Sequence, residues 1–398
     1  MPSSTLPTTT APAGPARPAR AARRGPVLRR LREGAWGWLF VTPMVVVLGL
    51  FLVLPILMAA WVSLLHWDGQ SDPFTAHADF VGMRNYRDLF VVDGLTRSLF
   101  ATSLRNTAYY VLLTVPLQTV LALGLAIAVN QRMLRGRGAA RTIFYFPSVT
   151  SSIAVSTVFL FLFQGSGAVN RMLSWVGVKG PNWFSDPRGV VWVALGGLGL
   201  TNPDHPGGLL ARHTVMGLSW ADWLSGPSVA MCTLILLSVW TTSGTFMLIF
   251  LAALQDIPRN LEEAAALDGV NRRQLLRHVT LPALRPVLFL VLTLGLIATW
   301  QVFDQVYVMG KGAPGNTTMT PAYLSYSSGF DNADYGHGAA IAFVLLAIIL
   351  PLAGLQRWVL RERGTGRTAG RWTARRKTAA GATGATAARL TEVPDGGR

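Results

Sequence analysis

The chain has 398 residues, of which 51% are hydrophobic and only 14% charged, whereas soluble domains carry about a quarter charged residues, so an ordinary soluble protein is excluded and a membrane protein indicated. The net charge of +16 does not imply a nucleic-acid partner, because the basic residues fall at the two ends and in short loops between apolar runs, not along one face. The single cysteine, Cys232, lies in an apolar run and reads as a small packing residue, which excludes an intrachain disulfide and a cysteine-based metal site.

Residues 1–34 are rich in Pro, Ala, Thr and Arg, with no acid before Glu33, and read as a disordered basic tail. The apolar run from Trp36 to Leu65 is far longer than the roughly 7 to 15 residues of a signal-peptide core, so it is expected to remain as an uncleaved span. Further runs long enough to cross about 30 Å of hydrocarbon are Asn106 to Val129, Ile143 to Phe163, Val229 to Leu254, Val287 to Phe303 and Gly338 to Leu355. The expectation is an all-α integral membrane protein with six transmembrane helices in one membrane domain over residues 35–361. The stretch Val190 to Leu200 is apolar but short and glycine-rich, and is expected to be interfacial or re-entrant.

The loops set the orientation. Arg132, Arg135, Arg137 and Arg141 lie between the second and third spans with no acid among them, and the residues after Leu360 are strongly basic. The positive-inside rule puts both in the cytoplasm together with the amino-terminal arginines, so both ends are cytoplasmic. The loops left outside are His66 to Leu104, Gln164 to Ser228 and Val308 to His337. In the second of these, Trp183-Phe184-Ser185-Asp186-Pro187 and Trp223-Leu224-Ser225-Gly226-Pro227 share a pattern, which suggests a local insertion or duplication in this loop. Residues 362–398 read as a second disordered basic tail, close to the anionic lipid of the cytoplasmic leaflet.

The spans contain no Asp, Glu, Lys or His, and so lack the ionisable relays that proton-driven carriers generally need. Asp304, just past the fifth span, is the nearest candidate, with an interfacial position as the plainer reading. No phosphate-binding GxxxxGK[ST] loop, HExxH or GxSxG occurs, so no catalytic residue, metal or cofactor is expected and any energy must come from a partner. Trp240, Thr241, Thr242 and Ser243 interrupt the fourth span, and Trp300, Gln301, Asp304 and Gln305 line the end of the fifth. Aromatic faces with hydroxyl and amide groups suit a neutral polyhydroxylated solute. The same residue types also serve helix packing and interfacial anchoring, and both readings stay open.

One polar stretch, Pro258 to Pro286, interrupts the apolar pattern. Asn260 with Glu263, and Asn271 with Gln274, have the spacing of an N-cap and its capping-box partner, which predicts two short helices. Gly269 lies where a left-handed residue would close the first, and Pro282 and Pro286 keep the second from running straight on. Glu262, Glu263, Asp268, Arg272, Arg273 and Arg277 place the stretch outside the bilayer.

With Glu263, Ala264, Ala265, Gly269, Val279, Leu281 and Pro282 at the spacing Glu-Ala-Ala, three residues, Gly, nine residues, Val, one residue, Leu-Pro, the chain resembles the inner-membrane permease subunits of binding-protein-dependent ABC importers. FVGMRNYRDLF (Phe80 to Phe90) and MGKGAPGNTT (Met309 to Thr318) support the likeness to the carbohydrate-uptake branch related to the maltose and glycerol-phosphate systems, with Lys311 where another glycine is usual and, around Arg188 to Asp222, an outer-loop insertion that the family pattern does not require. The resemblance implies a type I importer architecture in the bacterial inner (cell) membrane. It also implies two cytoplasmic ATPase subunits, a second and distinct permease, an extracytoplasmic binding protein and a sugar or sugar derivative as cargo. On this resemblance Glu263, Ala264, Ala265, Asp268, Gly269, Val279, Leu281 and Pro282 would form a coupling loop docking into an ATPase, while the polar and aromatic residues within the spans make Trp240, Thr242, Ser243, Trp300, Gln301 and Asp304 the candidates for the substrate path. The alternative is a channel or secondary carrier for a small polar solute with no ATPase partner.

Overall fold

The computed structural model describes residues 26–74, 79–131, 136–197 and 214–359. Arg132, Arg135, the middle of the expected insertion, residues 1–25 of the amino-terminal tail and the whole carboxy-terminal tail lie outside the described residues, while residues 26–34, expected to be disordered, are helical. Four described helices are long and apolar enough to cross a membrane: Gly37–Val62, Leu95–Asn130, Val229–Gln255 and Tyr335–Trp358. Two bent pairs raise this to six if each counts as one span: Arg137–Val149 with Ser152–Leu162, bent by 98°, and Arg272–Ala283 with Arg285–Trp300, bent by 68°. The chain is mostly helical, not wholly so. Two-residue strands pair antiparallel at Leu65–His66 with Asp79–Phe80 and at Thr214–Val215 with Leu218–Ser219.

The first compact unit ends at Trp61. Its helix Pro26–Leu48 runs through a π turn, Gly49–Val53, into Leu54–Val62. The π turn closes with the Leu54 N–H on the Gly49 carbonyl, one residue before Pro55. A proline inside a helix lacks a donor and crowds the carbonyl four residues back, and widening the preceding turn relieves both. The same device recurs at Leu276–Thr280, where the Leu281 N–H meets the Leu276 carbonyl just before Pro282.

In the second unit, Leu95–Asn130 and Val229–Gln255 form the central pair. Ala122 and Ala126, one turn apart and both 0% exposed, share a buried cluster with Phe246, Met247, Phe250 and Leu254. Small residues let helix axes approach where no hydrophobic effect drives them together. Gly244 does the same towards Arg137–Val149, since a Cβ there would lie 2.3 Å from the Phe144 carbonyl oxygen. The break after Val149 comes from Thr150 and Ser151, both with extended backbone (ψ 147° and 129°).

Polar side chains tie the expected outer loops to the helix ends. The Asn106 amide donates to the carbonyls of Asn316 (2.8 Å) and Met319 (3.1 Å), holding the glycine- and proline-bearing turn in which Lys311 takes a left-handed φ of 51°. His337 lies between Asp334 (Nδ1, 2.8 Å) and Asp88 (Nε2, 3.5 Å), joining Arg84–Phe90 to the start of the last helix. The two Trp-x-Ser-x-Pro pieces converge: the Val190 N–H donates to the Pro227 carbonyl (2.9 Å) and the Val229 N–H to the Arg188 carbonyl (3.3 Å). The intervening residues thus leave and return at one neck. Val190–Gly197 is helical, and residues 198–200 of that stretch lie outside the described residues.

Candidate coupling hairpin and transmembrane cleft

The polar stretch folds as two short helices around an elbow. The first helix is Arg259–Leu267. It begins one residue before Asn260, with the Leu261 N–H on the Pro258 carbonyl (3.1 Å), so Asn260 lies inside the helix and is not its cap. Pro258 is the residue before the helix, and its carbonyl accepts the first bond of the turn. The helix closes as the sequence predicts. Gly269 has φ +72°, the Val270 N–H reaches back to the Ala265 carbonyl (3.0 Å), and this six-to-one bond with an apolar residue after the glycine is a Schellman closure. Asn271 caps the second helix: its side chain accepts from the Gln274 N–H and Gln274 accepts from the Asn271 N–H, each at 2.9 Å. That helix continues through the π turn and Pro282 to Ala283, and the 68° bend falls between Pro282 and Pro286.

On the hairpin, Glu263, Ala264, Asp268 and Gly269 are exposed, Ala265 is buried, and Val279, Leu281 and Pro282 are half-buried. Two further residues stand out only in the structure: Leu261 is 48% exposed and Leu267 90% exposed. Leu267 thus leaves nearly its whole side chain uncovered on the first hairpin helix.

The residues proposed for a substrate path separate into two groups. Thr242 lines a cleft of about 410 Å³ formed between the break at Thr150, the fourth span and the end of the fifth. Trp300 is buried among Val111, Val115, Leu345 and Ile349, and Ser243 is buried with its hydroxyl on the Trp240 carbonyl (3.0 Å); both pack. Trp240 is 45% exposed with its ring against Phe159 (5.7 Å), while Gln301 and Asp304 are exposed at helix ends. None of these five lines the cleft. Thr241 and Gln305, their sequence neighbours, do.

The rest of the lining was not singled out from sequence: Ser148, Thr150, Ser152, Ser156 and Thr245 bring hydroxyls, and Phe246 and Leu237 bring apolar surface. Ser156 is 1% exposed and its hydroxyl has no protein partner. The run Pro147-Ser148-Val149-Thr150-Ser151-Ser152, where the third span breaks, carried that signal. The arrangement offers several hydroxyls and one amide around an apolar floor, with no ionisable group, and so can hydrogen-bond a neutral polar solute.

The sequence profile of the family described as "Binding-protein-dependent transport system inner membrane component" matches residues 84–363. The chain is 30% identical over 322 residues to the trehalose/maltose transport system permease protein MalF of Thermococcus litoralis, covering 81% of this chain and 92% of that protein. It is 29% identical over 330 residues to the lactose transport system permease protein LacF of Rhizobium radiobacter, covering 82% and 94%. Among solved structures, one chain of a bacterial ABC transporter involved in import of the acidic polysaccharide alginate has the same fold. The TM-score is 0.64 at 19% identity, over 85% of this chain and 99% of the other. With its apolar helices and its Glu-Ala-Ala hairpin, this multi-pass membrane protein belongs to the family of inner-membrane components of binding-protein-dependent transport systems.

Proposed function

We propose that the chain is one permease subunit of an ATP-driven importer and that it forms, with a second and distinct permease, the path for a sugar or sugar derivative. A binding protein delivers the cargo to the outer loops and two ATPase subunits dock on the hairpin. In this reading each bent pair is a single span, giving six, with both termini in the cytoplasm of a bacterial cell. The observation that carries it is the hydroxyl-lined cleft of about 410 Å³, whose size and uncharged lining suit one or two sugar rings. Relatives named for trehalose/maltose and lactose transport support the cargo class, and a solved relative in complex with an alginate-bound periplasmic protein supports the delivery step.

The hairpin supplies coupling. Exposed Leu267 and Leu261 dock apolar surface into the ATPase, Ala264 and Ala265 keep the first helix slim enough to enter a cleft, and Glu263 and Asp268 meet basic groups there. Because Asn271 and Gln274 lock the second helix to the elbow, a push on the hairpin moves it as a rigid piece. Its far end continues across the 68° bend into Arg285–Trp300, where Leu294 and Ala298 line the cleft. Closure of the ATPase thus changes the cleft.

The test is purification of the tagged chain from native membranes in mild detergent, followed by ATPase assay. A complex with a second permease and an ATPase, whose hydrolysis rises with sugar-loaded binding protein, is expected. A lone oligomer that moves solute with an ion gradient would overturn the reading.

A further inference from the structure

The Ser152–Leu162 helix is followed, after a short link, by the amphipathic helix Ala168–Trp175 and by chain that folds back to its starting point. The Trp183 ring meets Phe163 edge-on, with centroids 5.5 Å apart, so residues 164–183 leave and return at the same helix end. Asn170 staples the loop internally. Its amide donates to the carbonyls of Gly165 (3.0 Å) and Pro181 (3.2 Å), and its oxygen accepts from the Trp183 indole (2.7 Å). Two glycines are fixed by close packing: a Cβ on Gly180 would lie 1.9 Å from the Asn170 oxygen, and one on Gly167 2.4 Å from the Leu162 carbonyl.

This well-built loop presents an apolar tip to solvent. Trp175 and Val176 are each 79% exposed, Met172 60% and Val178 51%, with exposed Arg171 and Lys179 on either side. A rigid scaffold that exposes a tryptophan and aliphatic groups between two cations has the composition of a membrane-interface element.

We propose that the 164–183 loop is an anchor in the outer-leaflet headgroup layer, with Trp175 and Val176 inserted at the acyl boundary and Arg171 and Lys179 on lipid phosphates. The inference rests on the proposed topology, in which Phe163 ends its span on the outer side. The anchor steadies the half-span that brings Ser152 and Ser156 to the cleft.

The test uses the assembled transporter in nanodiscs of phosphatidylethanolamine and phosphatidylglycerol. Nitroxide labels are placed at Trp175→Cys or Met172→Cys in a Cys232→Ser background, with Ser166→Cys at the neck as reference. Faster collision with oxygen than with a water-soluble nickel chelate is expected at both tip sites, and the reverse at the neck. Chelate-favoured collision at both tip sites overturns the anchor, as does shielding that appears only when the binding protein is added, which would make the tip a protein-docking site. Labelling by a membrane-impermeant maleimide in sealed vesicles reads topology separately. Reaction only from the cytoplasmic side overturns the outer placement and the topology, whatever the depth.

Discussion

Asn271 and Gln274 exchange two hydrogen bonds of 2.9 Å across the first turn of the second hairpin helix, which fixes its direction relative to the elbow at Gly269. Replacing Asn271 with Ala removes a cap generally worth about 1 kcal/mol. The expected outcome is faster amide hydrogen exchange over residues 272–276 and weaker ATP-driven uptake, at an unchanged level of assembled transporter. Uptake that is unaffected while the amides exchange faster would remove the hairpin's rigidity from the mechanism.

Gly269 separates backbone strain from crowding. Its φ is +72°, yet a Cβ there meets nothing within 4 Å, so substitutions are resisted by the left-handed conformation alone. That conformation costs most non-glycine residues about 1–2 kcal/mol, and asparagine tolerates it. Gly269→Asn is expected to retain most uptake and Gly269→Val to lose most of it, with both proteins present in the membrane. Equal uptake by the two would contradict the elbow.

The cleft and its packed surroundings respond differently. Thr242→Val and Ser156→Ala remove hydroxyls from the cleft lining and are expected to raise the KM for uptake several-fold without lowering thermal stability. Trp300→Ala empties a buried site and is expected to destabilise by about 3–5 kcal/mol. A KM change with Trp300→Phe but none with Thr242→Val would reverse the assignment. Uptake at graded sugar concentration and thermal unfolding in detergent read the two effects.

The neck where residues 186–190 meet residues 227–229 is expected to be pH-sensitive in one direction. The Arg188 guanidinium donates to Asp186 (3.0 and 2.8 Å) and the Arg188 N–H adds a third bond at 3.0 Å. These bonds outweigh burial and hold the carboxyl below its ordinary value. A carboxyl depressed on folding contributes stability that is present above its unfolded value, near 3.9, and is lost as pH falls through the folded value. Amide protection at Val190 and Val229 is therefore expected to fall on acidification below about pH 4, and Asp186→Asn to abolish that dependence.

Much of this was legible in the sequence because it depends on local chemistry. Composition and the lengths of the apolar runs indicated a mostly helical membrane protein with four to six candidate spans, the closure at Gly269 follows from a glycine in the right register, and the cap at Asn271 from a partner three residues on. The cap expected at Asn260 is not formed, because the helix already begins at Arg259 with the Pro258 carbonyl accepting its first bond. The cleft was only half legible. Packing and ligand contact were both open for Trp300 and Ser243, and both are buried, while Ser148, Ser152 and Ser156 reach the cleft where the Arg137–Val149 and Ser152–Leu162 helices meet at 98°. Which face of a span meets another helix depends on tertiary packing, and alternation within an apolar run does not reveal it.

The most direct test of the account is a cross-link from the hairpin to the ATPase. Leu267 is 90% exposed, so Leu267→Cys, as the sole cysteine in a Cys232→Ser background, does not disturb the fold. With a short bifunctional maleimide and the assembled transporter, a covalent product with an ATPase subunit is expected, together with loss of sugar-stimulated ATP hydrolysis. The absence of any such product in transporter that still takes up sugar at the wild-type rate on ATP would contradict coupling through this hairpin.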